Sequence, residues 1–249
     1  MDKNARMLAT KGREHFPAQM YFVNDISKDF HIKYGIIKKE DLKKKNTKIK
    51  TNTGKEYAIF EPQFINFYKR IKRGAQIIPL KDIGFIIAET GIGKSSVILE
   101  AGGGSGGFSC FASGYVKKII SYEIDDDNIE IIKDNIKSLD IKNIIVKKAD
   151  VYKKIDEKNF DMILLDLPEP WRAIENAEKA LKTGGFLVSY SPTIVQSQQF
   201  VNALTENLFH MKTVEITEKP WKIEGQIVRP ISKASIHSGF ITFAKKISR

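Results

Sequence analysis

Hydrophobic positions divide the chain into two regions with different rhythms. From Ser96 onward, largely apolar runs at 96–101, 118–124, 144–148, 160–166 and 185–191 alternate with helical periodicity at about 108–114, 126–138, 172–181 and 194–207. Short runs that are apolar at nearly every position read as strands buried on both faces, the habit of parallel sheets. Asp125-Asp126-Asp127 opens the second helical segment with acidic residues, which suit the positive end of a helix. Two late strands, 213–217 and 239–245, have no long helix between them and are predicted to pair antiparallel at the sheet edge. The pattern predicts a doubly wound, mostly parallel α/β domain.

Before that domain the rhythm is shorter. Residues 21–23, 30–37, 48–51 and 56–60 are β-prone, and Asn52-Thr53-Gly54 supplies a turn that pairs the last two as a hairpin. Residues 62–73 read as a helix with Phe64, Phe67, Tyr68 and Ile71 on one face and Lys69, Arg70, Lys72 and Arg73 on the other. An extended connector, 75–80, and a short helix, 81–89, lead into the first parallel strand. The expected organisation is a small β-rich module over 1–73 and an α/β domain over 74–249.

Composition narrows the partners. Of 249 residues, 42% are hydrophobic and 29% charged, the balance of an ordinary globular protein. No run approaches the ~18 apolar residues of a membrane span. The start of the sequence lacks the apolar core of a signal peptide, so a cytoplasmic location is expected. The single cysteine, Cys110, excludes an intramolecular disulfide and a multi-cysteine metal site, and no metal is expected. A net charge of +11 points to a polyanion such as nucleic acid, although a generally lysine-rich composition gives the same figure. Lysines crowd 38–50 in the N-terminal module, which makes it a candidate RNA-contacting platform. The alternative is a solvated edge that prevents aggregation.

The chemistry gathers at Glu100-Ala101-Gly102-Gly103-Gly104-Ser105-Gly106-Gly107-Phe108. Glycines between a strand and a helix let the backbone turn tightly and approach a ligand closely. Glu123 ends the second strand about 20 residues on, where a carboxylate accepts ribose hydroxyls. These features fit any adenosine-bearing cofactor, NAD included. The acidic-Gly-x-Gly-x-Gly form of the loop favours S-adenosylmethionine, as does Asp150 after the third strand, placed to accept the adenine amine. Asp166-Leu167-Pro168-Glu169-Pro170-Trp171 favours it further: two prolines stiffen a loop at the carboxyl end of the fourth strand, where ligands of such sheets bind. Methyltransferases also commonly add a late antiparallel strand. By contrast, Gly91-Ile92-Gly93-Lys94-Ser95 only imitates a P-loop. Ala88 stands where the first glycine is required, and the strand follows the loop instead of preceding it.

These residues resemble the tRNA (adenine-N1)-methyltransferases of the T-loop in their archaeal and bacterial single-subunit form. The likeness runs through Arg73-Gly74-Ala75-Gln76-Ile77-Ile78, Lys81-Asp82, the glycine loop, Tyr122-Glu123 and the Asp166–Trp171 loop. It continues through Arg229-Pro230, His237-Ser238-Gly239-Phe240 and Phe243-Ala244-Lys245-Lys246. The resemblance implies a homotetramer acting on tRNA with S-adenosylmethionine as cofactor. It places Gly102, Gly104, Ser105, Gly106, Gly107 and Phe108 around the methionine part, Glu123 at the ribose and Asp150 at the adenine. Asp166 would serve both cofactor and target base, as the catalytic residue. Pro168, Trp171, Arg229 and His237 are the substrate-side candidates, with Lys219, Lys222 and Lys233 gripping phosphates. One departure is Pro79, which stands where many relatives carry an aromatic residue or histidine. Four other readings stay open on sequence: a non-catalytic tRNA-binding subunit, an N6-adenine methyltransferase, a small-molecule methyltransferase and an NAD-dependent oxidoreductase.

Overall fold

The computed structural model describes residues 4–11, 18–231 and 237–248, and the chain divides into two compact units between Ile71 and Lys72. In the N-terminal unit, strands β1 (Arg6–Thr10), β2 (Gln19–Val23), β5 (Thr47–Lys50) and β6 (Glu56–Phe60) form an antiparallel sheet in the order β2-β1-β6-β5. The expected 48–60 hairpin is present, with Lys50 opposite Glu56. The single β-prone stretch 30–37 is instead two strands, β3 (Phe30–Ile32) and β4 (Gly35–Ile37), because the chain reverses at Lys33-Tyr34 into Gly35, whose φ is +119°. A single turn, α1 (Lys39–Leu42), follows. Leu8, Val23, Ile37, Leu42, Ile49, Tyr57 and Ile59 make this unit's own core.

The helix expected over 62–73 is only α2 (Phe64–Tyr68). Beyond it the backbone tightens to three-residue spacing, Arg70 N–H to Phe67 O and Ile71 N–H to Tyr68 O, and the helix stops. Phe67 packs edge-on against Phe22, and the Arg70 guanidinium lies over the Phe22 ring at 4.1 Å. The basic residues that follow therefore do not share one helical face.

The second unit begins with α3 (Leu80–Thr90). Gly91, left-handed at φ +62°, stops it and returns its N–H to Ile87 O. The P-loop look-alike is thus a helix stop and a turn. The strands β7 (Val97–Ala101), β8 (Lys118–Glu123), β9 (Ile144–Lys148), β10 (Phe160–Leu165) and β11 (Leu181–Ser191) are all parallel. The helices α4 (Gly107–Ala112), α5 (Asp126–Ser138), α6 (Ile174–Ala180) and α7 (Ile194–Asn202) join them. The last strands are β12 (Leu208–Glu215), a separate hairpin of β13 (Trp221–Glu224) and β14 (Ile227–Pro230), and β15 (Phe240–Lys246). The sheet order is β12-β15-β11-β10-β7-β8-β9, with β15 antiparallel to both neighbours.

Successive strand residues serve opposite faces. Leu99, Ile163, Leu165 and Leu187 pack with Ala173, Ile174, Ala177 and Phe200 on one side. Ile98, Met162, Leu164 and Val188 pack with Ile83, Ile86, Phe108 and Ala112 on the other. Both faces are covered, and this is why the runs are apolar at nearly every position.

Differences from expectation lie near the end of the chain. Helix α7 stops at Asn202, because Thr205 and Asn207 hydrogen-bond the Glu178 carboxylate of α6 and turn the chain. Strand β12 consequently starts at Leu208, earlier than the expected 213. The β13–β14 hairpin went unpredicted, although Gly225, at φ +57°, marks its turn.

Candidate active site

The carboxyl ends of β7, β8, β9 and β10 open onto a cavity of about 380 Å³, within the range of small-molecule sites. The glycine loop forms its wall by bringing backbone where side chains cannot go. A Cβ on Gly102, whose φ is +88°, would lie 2.0 Å from the Asp166 carbonyl oxygen. A Cβ on Gly107 would lie 2.1 Å from Ile77 Cγ2. Gly104 is also left-handed, at φ +53°, and gives its N–H to Glu123 Oε2 at 2.7 Å.

Glu123 is built for acceptance. It is buried at the end of β8, its other oxygen taking the N–H groups of Ile124 (2.7 Å) and Asp125 (3.0 Å). Three amide donors fix the carboxylate in one orientation, so little side-chain freedom is lost when a ligand hydroxyl binds it. Asp150 follows β9 and accepts the Tyr152 N–H at 3.0 Å, a local turn that leaves it lining the cavity.

Asp166 follows β10 and gives its N–H to Ala101 O at 3.0 Å. Burial pushes its carboxyl up to about 7, and among the described residues no cation pairs with it to bring it back. Glu100, one strand over, is also pushed up to about 7, chiefly by burial, and the Asp166 charge adds to the rise. Hydrogen bonds from Ser121, at 2.8 Å, and Ser109 oppose it. The loop beyond Asp166 is clamped at two further points: Tyr152 Oη accepts the Glu169 N–H, and Gln196 Nε2 donates to Pro168 O at 3.0 Å.

Among the described residues, the cavity is lined by four carboxylates, Glu100, Glu123, Asp150 and Asp166, and by no lysine, arginine or histidine. That donor set bears on the two adenosine cofactors left open by the sequence. A dinucleotide would carry its pyrophosphate into a ring of acids. S-adenosylmethionine has a sulfonium and an ammonium against one carboxylate, a net positive charge, and its ribose and adenine offer hydroxyls and an amine to carboxylates. The residues present fit S-adenosylmethionine.

The other expected site residues distribute unevenly. Phe108 and Pro168 line the cavity. Ser105 does so too, but its hydroxyl proton goes to Ala75 O (2.8 Å) and it accepts the Gly74 N–H (3.0 Å), tying the glycine loop to the segment before α3. Gly106 lies outside the lining: at φ +74° it caps α4 and faces Ile132 and Cys110. Trp171 is not brought to the cavity either: its large apolar ring packs half-buried against the core that contains Ala173 and Ile174. Arg229 lies exposed on β14, opposite Lys222. His237 stands at the ends of β11 and β12, with Nδ1 on Glu215 Oε1 (2.6 Å) and Nε2 on Pro192 O (2.9 Å). The Glu215 hydrogen bond raises its pKa, and the Pro192 carbonyl adds to the rise. Lys233 lies outside the described residues.

Sequence reasoning passed over several lining residues. Ala75, Gln76, Ile77 and Ile78 come from the segment taken as a mere connector, Ile124 and Asn128 from the start of α5, and Tyr152 from beyond β9. The one available signal was Gly107, whose missing side chain makes room for Ile77.

Comparison with known proteins adds the lineage. A family model described as the tRNA methyltransferase complex GCD14 subunit matches residues 67–228. The tRNA (adenine(57)-N(1)/adenine(58)-N(1))-methyltransferase TrmI of Methanocaldococcus jannaschii is 33% identical over 256 residues, covering 90% of each chain. Among solved structures, a SAM-dependent O-methyltransferase of Thermotoga maritima superposes with a TM-score of 0.86 at 26% identity, covering 100% of this chain and 95% of that one. The tRNA (m1A58) methyltransferase TrmI of Aquifex aeolicus gives 0.81 at 21% identity, covering 98% and 97%, and supports the fold.

Proposed function

The chain belongs to the GCD14 family of tRNA methyltransferase subunits, and on that premise we propose that it methylates N1 of adenine in the T-loop of tRNA, using S-adenosylmethionine. The M. jannaschii relative is named for positions 57 and 58, and the same pair is the proposed target. The observation that carries the catalytic reading is Asp166, a half-buried, desolvated carboxylate at the strand ends that lines a cavity rich in acids and free of basic side chains among the described residues.

S-adenosylmethionine, when bound, supplies an electrophilic methyl group. The work of this chain is to hold the two reactants in line and to stabilise charge. Glu123 holds the ribose and Asp150 the adenine. Glu100 makes the cavity favourable for a cation. Adenine N1 lies on the pairing edge, so the base must leave its stack to be reached. Methylation there leaves positive charge on the ring. Asp166, accepting from the exocyclic amine, raises electron density at N1 and stabilises that charge as it develops.

The basic surface supports an RNA partner. Lys219, Lys222 and Arg229 around the β13–β14 hairpin, and the lysines of 38–50 in the N-terminal unit, are candidate phosphate contacts. His237 supports the substrate side indirectly, through its bond to the Pro192 carbonyl after β11. The reading includes a homotetramer in the cytoplasm, as the family resemblance suggests.

The test is nucleoside analysis by mass spectrometry. Unmodified tRNA transcript, the protein and S-adenosylmethionine are incubated and digested, and N1-methyladenosine is the expected product. N6-methyladenosine, measured under conditions that prevent rearrangement, overturns the mechanism. No methylation, with tRNA still bound, moves the chain to a non-catalytic subunit.

A further inference from the structure

One polar cluster in the core of the second unit has no part in holding the cofactor. Lys81 and Asp82 open α3, and their side chains are 15% and 0% exposed. All three protons of the Lys81 ammonium are placed: on Asp82 Oδ1 (2.7 Å), on the Ile216 carbonyl (2.7 Å) and on Ser238 Oγ (2.6 Å). The second Asp82 oxygen accepts from Ser238 Oγ (2.7 Å) and Tyr190 Oη (3.1 Å). Asp82 is fully buried on the helix whose Ile83 and Ile86 belong to the same apolar core as Ile241 and Phe243, a setting in which an ion pair is costly. A shape-matched apolar pair would hold the helix at least as well. The pair therefore calls for an explanation other than stability.

Its contacts supply one. Ile216 is where the chain leaves β12, and Ser238 is where it returns to β15. One ammonium thus ties both ends of the segment that carries the β13–β14 hairpin and the basic residues Lys219, Lys222 and Arg229. Asp82, for its part, holds the hydroxyl of Tyr190. Leu165 is paired with Ser189 across β10 and β11, so Tyr190 stands beside Asp166 at the strand ends. The chain's return packs directly on Tyr190, since a Cβ on Gly239 would lie 2.6 Å from the ring carbon Cζ. A single buried pair thus connects the base of the basic hairpin to the flank of Asp166.

We propose that Lys81 and Asp82 are positioning residues for methyl transfer: their ion pair fixes the chain at Ile216, where it leaves β12, and at Ser238, where it enters β15, together with the ring of Tyr190, and so sets the acceptor side of the site beside Asp166. The proposal rests on the function argued above. It predicts that the pair acts on turnover of bound tRNA and not on cofactor binding, because none of Lys81, Asp82, Tyr190 and Ser238 lines the cofactor cavity.

The test is the double variant Lys81→Met with Asp82→Asn. It removes both charges together, leaves no unpaired ion, and keeps an acceptor for Tyr190 and Ser238. The expected result is a thermal midpoint close to wild type, S-adenosylmethionine affinity within about threefold, and kcat on tRNA transcript reduced about tenfold or more. Wild-type kcat in the double variant overturns the proposal, because a purely structural pair is replaceable by a neutral one. A parallel loss of cofactor affinity overturns it too. Should the double variant fail to fold, Ser238→Ala removes only the shared hydroxyl. Its kcat is expected to fall about threefold or more at unchanged cofactor affinity, and an unchanged kcat overturns the proposal. Wild-type protein that forms no N1-methyladenosine would instead defeat the assigned function, a result read before any variant is made.

Discussion

Replacing Glu100 with glutamine is expected to stabilise the fold at pH 8 while weakening its hold on a cationic ligand. Burial raises this carboxyl from 4.5 to about 7. Below pH 4.5 the folded and unfolded chains both carry the proton, and Glu100 imposes no penalty. Between 4.5 and 7 the unfolded chain releases a proton that the folded chain keeps, so stability falls as pH rises. Above 7 the penalty is complete. The rise of about 2.5 pH units, at about 1.4 kcal/mol each, amounts to about 3.5 kcal/mol, an upper figure for a buried carboxyl. Glutamine never ionises and escapes it, less about 1 kcal/mol for an amide hydrogen facing a serine that had donated to the carboxylate. The net gain of about 2.5 kcal/mol corresponds to about 5–10 °C in thermal midpoint for a chain of this size. Denaturation of the cofactor-free protein at pH 5 and pH 8 measures it. The gain should be small at pH 5 and full at pH 8. Calorimetry on the same variant should show S-adenosylmethionine weakened by an order of magnitude, roughly, and the product S-adenosylhomocysteine, which lacks the sulfonium charge, less. An equal gain at both pH values, or equal weakening of both ligands, refutes the reasoning.

Further expectations concern the same site. Asp166→Ala should lower single-turnover methylation about 100-fold or more while leaving cofactor binding largely intact. In wild type, kcat/KM should fall about tenfold per pH unit below roughly 7, because burial holds Asp166 protonated there and a protonated acid cannot accept from the adenine amine; a flat profile from pH 5.5 to 8 counts against it. Gly102→Ala should weaken S-adenosylmethionine about tenfold or more, since its Cβ meets the Asp166 carbonyl. Gly184→Ala is the control: Gly184 is equally left-handed, at φ +83°, but open, and should cost stability alone. Binding of tRNA should weaken steeply with salt, and a slope near zero on a log–log plot would remove the phosphate contacts from the account.

The parallel strands were legible because burial on both faces writes itself as an unbroken apolar run, and Leu99, Ile163 and Leu187 needed no context to be placed. Glu123 and Asp166 were legible because each ends such a run. What escaped depended on partners distant in sequence. Trp171 follows the stiff proline loop, and only the packing of Ala173 and Ile174 shows that its ring turns inward. Helix α7 ended early through the Glu178 carboxylate of another helix, which no local propensity encodes. Residues 75–78 lacked periodicity and read as a connector, yet the absent Cβ of Gly107 places Ile77 on the cavity wall. The acids of the cavity were visible singly. Their convergence on one cavity with no basic side chain in its described lining was not, because it is a property of the assembled strand ends.

The position of β15 also orders events in time. Strand β12 touches the sheet only through β15, which comes later in the sequence. During synthesis, residues 208–215 leave the ribosome with their place in the sheet not yet available. At 5–20 residues per second, about 2–6 s pass before 240–246 has been made. Throughout that interval β11 presents an open edge, and β12, which carries the exposed Phe209 and Met211, is an unpaired apolar strand. The same threading makes completion abrupt. One strand, inserted antiparallel, closes two ladders at once and brings Ser238 and Gly239 onto Tyr190. A nascent chain that already has its glycine loop and all four cavity acids therefore has no finished acceptor side until its last strand is in place.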